Sequence, residues 1–474
     1  MGLLSAAGDA IASGLDRAGV IEARRVRRVV DLTWPRIVTG FGRNSQQTAD
    51  IAMVGVAIGP AAIAGVTFAL AYWRIGMSVS LGIAGATISL VSQRFGAEDH
   101  DAVAVVVKQS VWVMLAVMLP LSAVVFLEAG PLIRLLGATS AVADYGVTYL
   151  RVVSLAFAFE ALNHVGSRSF AGVGDTVTPM YLRAGGATAN IVVNAVLIFG
   201  LGMGVLGAAI GTAVATMLVT LGFAVALLGG RIPGRGGFPI DLRSGPTNWD
   251  PVAARRLVNI AVPLVFRRLA ETLFAFPFIA VVASFGAVAV AAYGVALQVR
   301  RLLNSLNWGF AIAASSIVGQ HLGAGDEAEA VAAGWDIVRL STVVYVVLAA
   351  LVFAFAVPVA RVFVSDPGAV AAASTFIRVA AVSSIGLGVE RSTNGTLRGA
   401  GDTAWPFYGK LVGLYFVALP IALLGSAPGL GFGLAALYAA FVVETVVPAV
   451  VNTYRLQSNG WLVTSRRLQA EPSD

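Results

Sequence analysis

The segment Gly172-Val173-Gly174-Asp175-Thr176, followed by Pro179, returns 227 residues later as Gly399-Ala400-Gly401-Asp402-Thr403, followed by Pro406. The same offset carries Val91-Ser92-Gln93-Arg94-Phe95-Gly96-Ala97 onto Val318-Gly319-Gln320-His321-Leu322-Gly323-Ala324. One spacing kept at two separate places marks a tandem duplication, because self-similarity at a fixed period signals repeated architecture. The chain is thereby restricted to folds made of two like units of roughly 225 residues.

What those units are made of follows from hydropathy. The chain is 58% hydrophobic and 12% charged with a mean hydropathy of +0.84, whereas soluble domains carry about 25% charge. This is the composition of a membrane protein. Its 474 residues accommodate a dozen helical spans of about 20 residues, the length that a hydrocarbon core about 30 Å thick requires. The 53 glycines suit such a bundle, since small residues let helix backbones approach closely in lipid. With no cysteine, disulfides and thiolate metal sites are excluded, and His100, His164 and His321 are too scattered to form a metal cluster. No cofactor is expected. The net charge of +7 does not gather into a basic nucleic-acid-binding domain; its placement reports topology.

Twelve spans are predicted: 31–57, 61–90, 103–127, 141–170, 178–200 and 204–229, then 254–284, 288–317, 331–357, 369–397, 405–425 and 431–455. The domain reading is a leader at 1–30, a six-helix bundle at 31–229, a linker at 230–253, a second bundle at 254–456 and a tail at 457–474. Arg17, Arg24, Arg25, Arg27 and Arg28 precede the first span with no cleavage site after a short apolar core, which reads as a retained cytoplasmic leader. Arg231, Arg235, Arg243, Arg255 and Arg256 make the joint between the sixth and seventh spans the most basic, while the opposite side shows only Arg134 and Arg361. The positive-inside rule puts both termini and the linker in the cytoplasm. Pro233, Pro239, Pro246 and Pro251 give the linker the composition of an extended tether. The fold class is thus an all-α membrane protein of twelve transmembrane helices in two pseudo-symmetric six-helix bundles. Six helices per repeat keep both copies in one orientation, and a cavity between or within the bundles is expected.

The paired Gly-x-Gly-Asp-Thr turns, the segments Gln93 to Gly96 and Gln320 to Gly323, and the prolines Pro35 and Pro263, read as helix openers, together resemble the multidrug and toxic compound extrusion (MATE) transporters. The resemblance covers nearly the whole chain and is most similar to the DinF-like prokaryotic branch. It implies two six-helix bundles, alternating access, and export of amphipathic organic compounds driven by inward proton or sodium flow.

Ionisable residues at membrane depth are costly, so each is either functional or paired. Asp50 lies about 22 Å along the first span from Pro35, and Asn190 and Asn194 lie at about 16 and 22 Å along the fifth span from Pro179, at 1.5 Å per residue. The three converge at one depth. A carboxylate flanked by carboxamides can take up a proton, and its oxygens offer sodium an alternative, with protons the favoured coupling ion. The resemblance matches Asp50 to the coupling aspartate of the family and Asn190 to its asparagine partner; Asn194 stands where some members carry a second aspartate. The alternative is a structural ion pair, since Arg36, Arg43 and Asp50 share a helix face. Glu271 on the seventh span resembles the glutamate of cation-coupled branches and offers a second site, or is neutralised by Arg267 one turn away.

A substrate cavity is expected to draw on Arg43, Gln47, Tyr72 and Arg74 in the first two spans. Glu160, His164, Phe274, Arg301 and Glu390 are its further candidates. His164 reads first as a hydrogen-bonded bundle residue, and Glu390 as a partner of Arg391 or Arg398. Arg74 and Arg301 share the 227-residue offset and read either as structural pairs or as contacts for anionic substrate groups, which guanidinium suits. Among the aromatics, Phe41, Phe68, Trp73, Phe157, Tyr293 and Trp308 read as packing or as cavity lining. Gly172, Gly174 and Asp175, with Gly399, Gly401 and Asp402, are structural turns whose aspartates cap the next helix. No Walker lysine follows them, so they are not phosphate loops, and the chain does not read as an enzyme.

The expectation is a monomeric, multi-pass secondary antiporter of the cytoplasmic membrane. It takes amphipathic small molecules as substrates and the lipid bilayer as its surroundings, without nucleic acid. Two alternatives stand beside it: a lipid-linked oligosaccharide flippase of the wider superfamily, kept open by the surplus of arginine, and an uncoupled channel or scaffold.

Overall fold

The computed structural model describes residues 21–230, 236–243, 248–427 and 432–470, with 13, 14, 16 and 17 in addition. Among them the chain is helical and has no strand. The first repeat runs α1 (Ala23–Ala57), α2 (Pro60–Gly96), α3 (His100–Leu127) and a short α4 (Ala129–Leu135). The fourth span is two helices, α5 (Ser140–Leu155) and α6 (Phe157–Gly172), bent by 46°. Then come α7 (Val177–Ala195), which widens into a π-helical turn at Val196–Gly200, and α8 (Gly204–Leu227). The second repeat runs α9 (Pro251–Ala283), α10 (Ala287–Gly323), α11 (Glu327–Ala354), a short α12 (Ala356–Phe363) and α13 (Pro367–Gly399). The helices α14 (Ala404–Leu411) and α15 (Leu419–Ser426) are joined by a π-helical stretch at Val412–Ala418, and α16 (Gly433–Gln457) and α17 (Gly460–Ala470) follow.

Among the described residues nine stretches are long and apolar enough to cross a membrane, and the bent α5–α6 pair makes ten. With α1 and α9, 35 and 33 residues long but richer in charge, the twelve expected spans are complete. The duplication is written in the backbone as well. Asp99 accepts a hydrogen bond from the Ala102 amide at 3.0 Å to cap α3, and Asp326 does the same for Glu329 at 3.0 Å on α11. The residue before each cap is left-handed, Glu98 at φ 58° and Gly325 at φ 77°. Such a cap is worth about 1 kcal/mol, and both sit at the offset of the repeat.

The chain forms two compact units, one holding the described residues up to Ile37 and from Phe266 onward, the other Val38–Val265. Their borders fall inside α1 and α9. In the Val38–Val265 unit, α2 packs along α5 and α6, and α7 along α8. The whole run from Ser80 to Gln93 is buried. A Cβ on Gly65 would stand 2.7 Å from both the Gly146 nitrogen and the Val142 oxygen, so α2 and α5 meet backbone to backbone there. In the other unit α10 lies along α13, and Phe274, Phe278, Tyr293, Phe376 and Phe441 fill the core with Ile21, Val26, Val29 and Leu32 from the chain's first described turns.

Two expectations change, and the tail acquires a structure of its own. Pro35 and Pro263 do not open helices; each falls twelve residues inside one, counted from Ala23 and from Pro251. The described part of the linker is docked rather than free: Phe238, Ile240 and Leu242 are buried, alternating inward, with Phe238 edge-on to Phe170 at 5.1 Å. Arg231, Arg235, Pro233 and Pro246 lie outside the described residues. The tail folds as α17, with Trp461 fully buried and Gln469 donating to the Leu322 carbonyl at 2.9 Å.

Candidate functional site

Four helices of the Val38–Val265 unit bring a polar chain together. Asn190 and Asn194, one turn apart on α7, are fully buried, and both turn toward a face that α8 approaches closely because Gly211 has no side chain. The Asn194 amide Nδ2 donates to Asp50 Oδ1 at 2.7 Å and to Asn190 Oδ1 at 3.3 Å. Asn190 Nδ2 in turn donates to Thr212 Oγ1 at 3.4 Å. Tyr149 on α5, also buried, hydrogen-bonds Thr212 and lies within the field of Asp50. Asp50, Asn190 and Asn194 thus meet as the helical spacing expects.

The ion-pair alternative for Asp50 is not what the geometry offers. Among the described residues no cation pairs with it, and its hydrogen bond comes from a neutral amide. Arg43 instead lies, with Arg183, in the field of Glu160. Asn194 Oδ1 is buried with no hydrogen-bond partner. This matters chemically, because a carboxamide that donates to a carboxylate can, after a half-turn, accept from a carboxylic acid.

Several other buried charges pair. Glu160 takes Arg183 at 3.0 Å, Asn163 at 3.2 Å and His164 at 3.5 Å, while His164 Nδ1 also meets Ser80 Oγ at 3.0 Å. His164 is a hydrogen-bonded bundle residue. In the Phe266-onward unit, Arg267 bridges Glu271 at 3.0 Å and Glu390 at 3.1 Å, and Arg391 bridges the same two acids at 3.4 and 3.3 Å. The four form a closed ring. Lys410 adds a third cation to Glu271 at 3.9 Å. Of the two readings of Glu271, the geometry is that of neutralisation. Glu390 pairs with Arg391 and Arg267 rather than with Arg398, which donates to Ser315 Oγ and the Ala311 carbonyl, both at 2.8 Å.

The other cavity candidates scatter. Tyr72 donates to the Leu132 carbonyl at 2.6 Å, Gln47 is half-buried, and Arg74 and Arg301 are exposed. It is Arg300 that makes the ion pair, with Glu444. Phe274 is 4% exposed and packs between Phe278 and Tyr415, so it belongs to the core rather than to a lining. Tyr293 is packed likewise, and Trp308 lies under the Arg268 guanidinium at 4.9 Å. Asp175 caps α7 as expected, accepting from the Val177 and Thr178 amides at 2.9 Å. Asp402, against expectation, does not cap α14; its carboxylate accepts from Arg455 Nε at 2.7 Å instead. Gly174 and Gly401 hold φ 91° and 80°, while Cβ atoms on Gly172 and Gly399 would press on Val91 at 2.6 Å and on the Ser315 carbonyl at 3.0 Å.

Sequence reasoning missed Tyr149, Thr212, Arg183, Lys410 and Glu444. Two of these carried a signal: Arg183 and Lys410 stand 227 residues apart, each supplying a cation to a buried acid. Thr212, Thr216 and Thr220, spaced by four, also mark one polar face of α8.

A twelve-span helical fold with paired charges at depth is the architecture of a solute carrier. The MatE family profile matches residues 35–196 and again 263–424, and the chain belongs to that family of membrane transporters, not to an enzyme family. It is 28% identical over 434 residues to the "Probable multidrug resistance protein NorM" of Bradyrhizobium diazoefficiens, covering 90% of this chain and 92% of that one. A relative of the same description from Thermotoga maritima is 25% identical over 369 residues, 74% and 75% of the two chains. Among solved structures, "Crystal structure of MATE in the bent conformation" superposes with a TM-score of 0.85 at 20% identity, covering 94% of this chain and 97% of that one. Another, "Reverse polarity of binding pocket suggests different function of a MOP superfamily transporter from Pyrococcus furiosus", gives 0.82 at 20% identity, with 93% and 96% covered.

Proposed function

We propose that this chain exports amphipathic organic solutes, multidrug compounds among them, by antiport with protons through alternating access, acting as a monomer in the cytoplasmic membrane with both termini inside. The observation that carries this is Asp50: an acid at membrane depth, held by an amide at 2.7 Å and paired with no cation among the described residues. Intramembrane acids of this kind mark proton or ion pathways. The relatives named as multidrug resistance proteins support the solute class.

The residues give the coupling a working part. Ionised Asp50 accepts from Asn194 Nδ2; protonated Asp50 becomes a donor and needs an acceptor, which the partnerless Asn194 Oδ1 supplies after the amide turns. Each protonation state then favours one setting of the Asn194 side chain, and through the Asn190–Thr212–Tyr149 chain one packing of α7 on α8 and α5. A proton fits this arrangement better than sodium, because Asp50 brings a single carboxylate here whereas a hard cation takes several oxygen ligands. A ligand shifts such an equilibrium only by its differential affinity for the two states. In the present state α1 is unbroken through Gly40 and Gly42, the glycines at which a change of helix shape is least costly.

The test is solute efflux from proteoliposomes under separately imposed proton and sodium gradients. Asp50→Asn keeps a side-chain oxygen to accept from Asn194, so it should fold and bind solute yet lose proton-driven efflux. Normal proton-driven efflux by that variant removes Asp50 from the mechanism, and efflux driven by sodium alone overturns the choice of ion.

A further inference from the structure

The ring of Arg267, Glu271, Arg391 and Glu390 is electrically balanced, but its surroundings are not. Lys410 reaches Glu271 Oε1 at 3.9 Å. Arg268, next to Arg267 on α9, stacks on Trp308 and lies in the field of Glu271, Arg391 and Arg267. Among the described residues Arg398 has only neutral hydrogen-bond partners, Ser315 and Ala311, and feels Arg268, Arg267 and Arg391 around it. Five cations therefore share two carboxylates, an excess of three positive charges. The adjoining Arg300–Glu444 pair is neutral and leaves the excess unchanged.

Depth makes the imbalance consequential. Lys410 is about 9 Å from the start of α14 and Glu390 about 13 Å before the end of α13, at 1.5 Å per residue. Arg267, Glu390 and Lys410 have side chains 3%, 0% and 6% exposed. At such sites an uncompensated cation is costly, and a counter-charge with directed oxygen acceptors relieves it. Guanidinium groups and an ammonium in one place favour carboxylate or phosphate oxygens, which they bind in charge-assisted hydrogen bonds. The first repeat places its own cation equivalently: Arg183, at the position of Lys410, serves Glu160.

We propose that this cluster in the Phe266-onward unit is a binding site for the anionic headgroup, carboxylate or phosphate, of an amphipathic substrate. The inference deepens the export reading and rests on it for the word substrate. Two sources share this chemistry, a soluble organic anion and the phosphate of a bilayer lipid.

The experiment uses the full chain in phosphatidylcholine nanodiscs and three dansylated alkyl amphiphiles that differ only in headgroup: carboxylate, phosphate and trimethylammonium. The two anions should bind at least on the order of tenfold more tightly than the ammonium, as one charge-assisted contact provides. Lys410→Gln and Arg268→Gln should each weaken the anions by on the order of tenfold and leave the ammonium unchanged. Glu271→Gln, which removes a competing carboxylate, should tighten the anions, an effect that a misfolded variant cannot mimic. Equal or tighter binding of the ammonium, or anion binding indifferent to all three variants, overturns the proposal. With the anion preference present, displacement of the phosphate probe by phosphatidylglycerol in the nanodisc assigns the lipid source, and retention assigns the soluble one. Uncoupling in Asp50→Asn is read separately, so a site that prefers ammonium while that variant still uncouples defeats this proposal alone.

Discussion

Removing Glu390 and removing Lys410 should have very different consequences for stability, although the two groups share one cluster. Glu390 is completely buried and ion-paired with Arg267 at 3.1 Å and Arg391 at 3.3 Å. In Glu390→Gln each arginine keeps only Glu271, and the cation excess grows by one. Breaking a buried ion pair by deleting one partner costs about 3–5 kcal/mol. In a unit of this size that is a fall in melting temperature on the order of 10 °C, at about 2–4 °C per kcal/mol. For Lys410 the terms oppose one another. Its attraction to Glu271 at 3.9 Å is about 4 kcal/mol at an effective dielectric of about 20, and Glu390 attracts it further, against the several kcal/mol that burying an ammonium costs. Because Lys410 and Arg267 touch the same Glu271 oxygen at 3.9 and 3.0 Å, they lie no more than about 7 Å apart and repel by about 2 kcal/mol, with Arg391 and Arg268 adding to that. Lys410→Gln should therefore melt within about 1 kcal/mol of the parent, roughly 2–4 °C. Thermal unfolding of both variants in one detergent, followed by size-exclusion fluorescence, makes the comparison. A Lys410→Gln loss as large as that of Glu390→Gln would show that the cations are not in excess and refute the charge count.

Two further outcomes rest on packing. Gly211→Ala drives a methyl into the Asn194 carboxamide, so it should lower the melting temperature and proton-driven efflux together. Gly185→Ala in α7 meets open space and should be silent or stabilise by about 0.5–1 kcal/mol; equal behaviour of the two would contradict the close α7–α8 approach. Trp461→Ala empties a fully buried site at a cost of about 3–5 kcal/mol, and protease should then trim α17 faster than in the parent; unchanged trimming would mean that the helix is not docked.

The duplication and the twelve spans were legible because lipid leaves few choices: backbone must be helical, and turns with φ near 80–90° at Gly174 and Gly401 need glycine. The convergence of Asp50 with Asn190 and Asn194 followed from helical rise counted from Pro35 and Pro179, even though Pro35 lies within α1 rather than at its start. The bend between α5 and α6 did not, since Leu155-Ala156-Phe157 holds neither proline nor glycine and the break is set by packing. Local pairs such as Arg267 with Glu271, one turn apart, were visible. Arg300 with Glu444 is not readable from spacing, because 144 residues separate them and only the packing of α10 and α16 decides which arginine of the 300–301 pair turns inward. The docked linker was not legible because its Pro and Gly content is that of a tether, while only three alternating apolar residues, Phe238, Ile240 and Leu242, anchor it.

The first described turns of the chain share a core with residues made far later. Ile21, Val26, Val29 and Leu32 sit in one cluster with Phe310 and Ile337, so a ribosome that has just released the former must add about 300 residues before the latter emerge, roughly 15–60 s at ordinary elongation rates. Until then the leading turns of α1 lack their native neighbours. Biogenesis is thus obliged to hold the earliest helix in waiting, and a polypeptide ended at the middle of the gene would leave that apolar stretch permanently bare.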